Sequence, residues 1–145
     1  MRILGHPVHV MLIHFPSALF PMEFVCYILL FFTGKQSFAD ASFYAMAGGV
    51  FAGWIAVLFG ALDLAKIPPY KPDVIKKALF HGSLNTVILI TYTVLVYLLY
   101  KKYPQLPVAS TSLLITKGML IVLLIIGNYW GGELILKYKV AIDNN

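Results

Sequence analysis

Polar positions are rare along this chain and they fall in clumps. Between them run four stretches of nearly unbroken apolar residues. The first runs from about Val10 to Thr33 and stops at Gly34-Lys35-Gln36. The second runs from about Ser42 to Ala65 and is closed by Lys66 and Pro68-Pro69. The third runs from about Leu79 to Tyr100, ahead of Lys101-Lys102 and Pro104, and the fourth from about Thr111 to Leu136. A helix needs roughly 20 mostly apolar residues to cross a bilayer, and each stretch meets that length. Strand-like alternation is absent, and open sheet edges cannot exist in hydrocarbon. The pattern therefore predicts an all-α membrane protein: four transmembrane helices, about 10–33, 42–65, 79–100 and 111–136, forming a single domain over residues 1–145. The predicted connections are short, roughly 8 to 13 residues, so sequence neighbours should pack antiparallel in a bundle.

Composition agrees with lipid as the solvent. The chain has 145 residues, 60% of them hydrophobic and only 12% charged, against roughly 25% charged in a soluble domain. A soluble chain this short could not hide so much apolar surface. The net charge of +5 does not point to nucleic acid, because the basic residues lie in the predicted loops, where lipid headgroups and orientation account for them. Cys26 is the one cysteine, so no internal disulfide is expected and the redox compartment is not legible from it. The start does not read as a signal peptide, since no small-residue cleavage site follows the first apolar run.

Charge also sets an expected orientation. Arg2, Lys66, Lys71, Lys76, Lys77, Lys137 and Lys139 fall on the side of the termini; Lys35, Lys101, Lys102 and Lys117 fall on the other. The excess favours both termini in the cytoplasm.

Small residues mark packing seams. Gly49 and Gly53, extended by Ala52, Ala56 and Gly60, and again Gly127 and Gly131, have the spacing that lets helix backbones approach closely. Pro16 and Pro21 lie in the first span. Each removes a backbone donor and should bend the helix; alternatively, Pro16 is a first-turn residue and residues 7–15 form a separate interfacial turn.

The chemistry lies in where the polar residues fall. All four histidines sit near one face: His6, His9 and His14 at the start of the first helix, and His81 at the start of the third. Asp63 ends the second helix on that side. Glu133 ends the fourth, after Asn128, Tyr129 and Trp130, and Asn85 follows His81 by one turn. An ionisable side chain within a membrane span is a functional candidate by default. Structural roles stand beside this reading. Glu133 precedes Lys137 by four residues, the favourable order for a surface ion pair, and Asp63 can pair with Lys66. His6 and His9 can sit among headgroups, while Trp130, Tyr129, Tyr138 and Tyr100 have the character of an interfacial belt. Glu23, nine residues after His14, should point away from it in a straight helix; facing outward, it would favour a partner protein over lipid.

Several of these residues also carry a resemblance. Gly5-His6-Pro7-Val8-His9 followed by His14-Phe15-Pro16, then Gly60-Ala61-Leu62-Asp63, His81-Gly82-Ser83-Leu84-Asn85 and Tyr129-Trp130-Gly131-Gly132-Glu133-Leu134, resemble the motifs of the bacterial membrane proteins of domain-of-unknown-function family 2231. The resemblance covers nearly the whole chain. It departs at Lys137-Tyr138-Lys139-Val140, where that family often has Arg-His before Gly-Val. Some relatives are joined to iron–sulfur or c-type cytochrome modules, which implies membrane redox work by association only.

Physical chemistry offers three readings. The first is one haem b held by His14 and His81, both one turn inside their helices on the same side, with His9, Asn85 and Trp130 around it and Arg2, Lys66, Lys76 and Lys77 near the propionates. Such a protein passes electrons within, or to, a respiratory-type membrane complex. The second is a transition-metal site built from His14, His81, Asp63 and Glu133. The third is a small accessory or assembly subunit of a larger membrane complex, or a homo-oligomer, without haem. An electron carrier or accessory subunit suits the chain better than a stand-alone enzyme: no nucleophile elbow, triad spacing or phosphate loop is present.

Overall fold

A computed structural model describes residues 2–3 and 6–140, with side chains from Val8 onward. The expectations placed on the side chains of Arg2 and His6, and on Gly5, lie outside these described residues.

The chain begins with a two-residue antiparallel ladder, β1 (Arg2–Ile3) with β2 (His6–Pro7). Five helices follow: α1 (Val8–Leu12), α2 (His14–Thr33), α3 (Gln36–Leu64), α4 (Pro72–Tyr100) and α5 (Thr111–Leu136). Four of the resulting helical spans, Val8–Thr33, Gln36–Leu64, Pro72–Tyr100 and Thr111–Leu136, are long and apolar enough to cross a membrane. The all-α, four-span bundle expected from the apolar pattern is therefore the observed architecture.

The break between α1 and α2 falls at Ile13. Pro16 has no N–H to return to the Leu12 carbonyl, so the backbone ladder loses a rung at this point. Bonds from Ile13 N to His9 O and from Ser17 N to Ile13 O, both 3.1 Å, carry the chain across the gap. A separate short segment before the main helix is thus found, but the break falls at Ile13, and Pro16 is the third residue of α2 rather than its first. Pro21 lies inside α2.

Two helices start earlier than hydropathy indicates. α3 begins at Gln36 rather than near 42, and α4 at Pro72 rather than near 79. Helical hydrogen bonding does not stop where the apolar run stops, so these ends extend into the polar interface. Pro72 suits its place in the first turn, where its missing N–H costs nothing. Only Gly34 and Lys35 separate α2 from α3. Gly34 adopts φ +65° and returns its N–H to the Leu30 carbonyl at 2.8 Å, an αL helix end that glycine takes without strain.

Each long helix packs on its sequence neighbours, and α2 closes the ring against α5. The seam between α2 and α3 is the most extensive, and α1 lies against α3. The central core joins Phe20, Met46, Val50, Ile88, Leu89, Tyr92, Leu120 and Leu124. Within it Phe20 stacks on Tyr92 with ring centroids 4.0 Å apart and planes 2° from parallel. A second cluster around Tyr27, Leu30, Phe43 and Leu106 fills the end opposite the termini. Outward positions such as Phe32, Phe51, Leu58, Val87 and Ile125 are apolar and exposed, as a lipid-facing surface requires.

Candidate functional site

Two histidines are fixed by one repeated device. His9 on α1 donates from Nδ1 to the Ala56 carbonyl of α3 at 2.8 Å. His81 on α4 donates from Nδ1 to the Gly127 carbonyl of α5 at 2.9 Å. In each case the residue four further along the accepting helix is glycine. A Cβ built on Gly60 would stand 2.9 Å from His9 Cε1, and one on Gly131 would stand 2.6 Å from His81 Cε1. The imidazoles can reach those carbonyls because no side chain intervenes. Part of the small-residue stripe expected to bring helix backbones together thus serves as seats for side chains: Gly49 receives Phe20, Gly53 receives Leu89 and Gly127 receives Asn85.

This bonding assigns the ring protons. A carbonyl oxygen only accepts, so each Nδ1 carries a hydrogen, and in the neutral ring each Nε2 keeps its lone pair. Asn85 secures the His81 turn by donating from Nδ2 to the His81 carbonyl at 2.9 Å.

Between α1, α3, α4 and α5 lie two neighbouring cavities, of about 470 Å³ and 410 Å³. His9, His81, Asn85 and Gly131 stand in the walls of both. Asp63, buried and engaged in an interaction of its own, lines the first. His14, Ser17 and Asn128 line the second, which extends inward to Phe20, Ile88 and Leu124.

The residues singled out from sequence divide accordingly. His9, His81 and Asn85 come together, with Asp63 on one side and His14 on the other. His14 is exposed, its Nδ1 3.3 Å from the Met11 carbonyl of the preceding turn. Of the histidines in the first span, His9 is anchored to α3 and lines both cavities with His81, while His14 lines only the second. Glu133 stands apart from both cavities and binds Lys77 at 2.9 Å and Lys137 at 3.4 Å. Trp130 packs edge-on against Phe80, with centroids 4.3 Å apart. Among the described residues, no three His, Cys, Asp or Glu side chains gather as a metal-ion ligand set.

A second polar centre was only half legible. Glu23 and Lys117 form an ion pair in the bundle interior, with side chains 0% and 1% exposed. Ser42 Oγ donates to Glu23 Oε1 at 2.8 Å, and Lys117 donates to the same oxygen. The condition under which Glu23 would point to a partner protein is not met: it faces inward, against its countercharge. Lys117 correspondingly leaves the set of loop charges on the face opposite the termini. The signal was available in the sequence, since opposite charges in two apolar spans leave pairing as the affordable arrangement.

No curated protein and no solved structure matches this chain. The profile described as predicted membrane protein (DUF2231) matches residues 5–144, nearly the whole of it. With that coverage, and with four helices able to span a bilayer, the chain belongs to the DUF2231 family of membrane proteins.

Proposed function

We propose that the paired cavities hold a single haem b, with His9 and His81 as its axial ligands, and that the protein carries electrons in the membrane. The observation behind this reading is the shared orientation of the two histidines. Both are tied at Nδ1 to a backbone carbonyl, which fixes the ring and leaves Nε2 as a ligand atom, the arrangement common to metal-binding histidines. His14 gives up the axial role it had on depth matching alone, since its ring is exposed.

The size of the donor set favours haem over a bare ion. A structural zinc takes four protein ligands and a catalytic zinc takes three, whereas haem brings four nitrogens of its own and asks the protein for two. The combined cavity volume lies within the range of cofactor sites, roughly 300 to 1,000 Å³. Lys66, just past α3, and Lys76, in the first turns of α4, lie on the same face as the cavities and can neutralise propionates. Haem supplies one-electron transfer; His9 and His81 hold its plane, and the apolar walls keep water from it.

The excess of basic residues on the face of the termini supports a cytoplasmic position for both ends in a bacterial inner membrane. A respiratory-type membrane complex is the fitting electron partner. The test is an absorption spectrum of protein purified from cells supplied with haem precursor. A Soret band is expected that is lost in His9→Ala and in His81→Ala and kept in His14→Ala. A colourless wild-type protein refutes the reading, and so does colour that survives both single substitutions.

A further inference from the structure

The Glu23–Lys117 pair plays no part in holding a cofactor, and an ion pair in the interior of a membrane bundle is costly to keep. Its geometry is lopsided. Lys117 and Ser42 both donate to Oε1 of Glu23, while among the described residues no donor reaches Oε2. A pair serving cohesion alone gains most when both carboxylate oxygens are engaged. Here one oxygen is saturated and the other, fully buried, is left with unspent basicity.

The surroundings lead toward one face. Lys117 Nζ lies 4.0 Å from the centre of the Tyr27 ring. The Tyr27 hydroxyl accepts from the Ser110 N–H at 2.9 Å and donates to the Ser110 carbonyl at 3.4 Å. Ser110 caps α5 in the loop opposite the termini. Along α5, Lys117 is six residues inside that end, about 9 Å at 1.5 Å per residue. Tyr27 therefore spans the distance between the loop and the ion pair, its hydroxyl on the Ser110 backbone and its ring face against Lys117. Facing the pair from the packed elements are Ser42 on α3, Tyr92 on α4, and Cys26 and Tyr27 on α2 itself. Of these only the tyrosines and the cysteine titrate, and none is an acid or base of ordinary strength at neutral pH.

We propose that Glu23 and Lys117 form an intramembrane proton-exchange site, which takes up one proton from the face opposite the termini, the nearer of the two to Lys117 along α5. The Lys117 ammonium passes a proton to the Glu23 carboxylate: an N–H bond breaks, an O–H bond forms, and both groups become neutral. The Lys117 amine then regains a proton from the loop side. The net change is one proton gained, leaving a carboxylic acid beside a lysine cation. The site stands whether or not the histidine cavities hold haem.

Infrared spectroscopy of the detergent-purified full chain tests this. Wild type should show a protonated-carboxyl band, shifted in D2O, that grows as pH falls. The band should vanish in Glu23→Gln and persist in Asp63→Asn. Should Glu23→Gln fail to fold, Glu23→Asp keeps the acid and must keep the band at an altered frequency. Absence of any such band in wild type overturns the proposal, as does its survival in Glu23→Gln.

Discussion

The imidazole of His81 rests on the bare backbone of Gly131, so close that a Cβ there would stand 2.6 Å from Cε1. The glycine is what allows Nδ1 to reach the Gly127 carbonyl. The same relation joins His9 to Gly60 and the Ala56 carbonyl. Neither glycine needs an unusual backbone angle. Each is required by the space its histidine takes.

Gly131→Ala should therefore act on His81 directly. The methyl group must displace the ring or push α4 away from α5, at a cost of about 1–3 kcal/mol, typical of overpacking. Gly132, where a Cβ would meet nothing within 4 Å, is the control. Thermal unfolding in detergent should show a lower midpoint for Gly131→Ala and Gly60→Ala and little change for Gly132→Ala. If a cofactor is bound, its absorption should change in the first two variants only. Equal behaviour of all three would mean that the histidines are not seated by their glycines.

Tyr92 yields a prediction of opposite sign. Its ring stacks on Phe20 in the core, while its hydroxyl is buried with no hydrogen-bond partner among the described residues. Tyr92→Phe keeps the stacking and removes a desolvated polar atom, so stability should hold or rise by about 1 kcal/mol. A loss of more than that in the unfolding midpoint would show that the hydroxyl is engaged in the native bundle.

Hydropathy located the spans because lipid contact makes every outward face apolar, so that Phe51, Leu58 and Ile125 signal as strongly as core residues do. It could not place the starts of α3 and α4, because Gln36–Ala41 and Pro72–Ala78 are helical in an interface that tolerates polar side chains. The histidine layer was legible from the order of segments alone. Which histidine of the first span is anchored across the bundle was not, since that depends on how α1 packs on α3. Depth matching pointed to His14, whereas the bond to the Ala56 carbonyl and the seat at Gly60 belong to His9. The seats at Gly60 and Gly131 looked like helix-packing stripes, because small residues serve either purpose and only the neighbouring helix decides. Glu23 was misdirected by reasoning within one helix, when its partner lay 94 residues away on α5.

Four spans put both chain ends on one face, and Lys117 inside the bundle leaves Lys35, Lys101 and Lys102 as the basic residues of the opposite loops. That widens the charge asymmetry in favour of cytoplasmic termini. In a Cys26→Ala background, a cysteine at Lys71→Cys should resist a membrane-impermeant thiol reagent in intact cells, and one at Lys35→Cys should react. The reverse pattern would invert the orientation; reaction at both positions would contradict four spans.

The ion pair offers the sharpest energetic test. Replacing Glu23 by Gln leaves the Lys117 ammonium in the interior with no countercharge, and Lys117→Met leaves the Glu23 carboxylate in the same position. Each single change should cost about 3–5 kcal/mol, the range for breaking a buried pair from one side. Lys117→Met also forfeits the contact with the Tyr27 ring, so it should be the worse of the two. In the double variant no charge remains to be compensated, and Gln can still accept from Ser42 Oγ–H as Glu23 does. Its stability should recover most of the combined loss, since uncharged replacements of buried pairs are often neutral or stabilising. Unfolding of all four proteins in the same detergent gives the coupling energy as a double-mutant cycle. A strong favourable coupling is expected. Additive losses would mean that Glu23 and Lys117 contribute independently, and the interior pair would then not be what holds α2 to α5 at this depth.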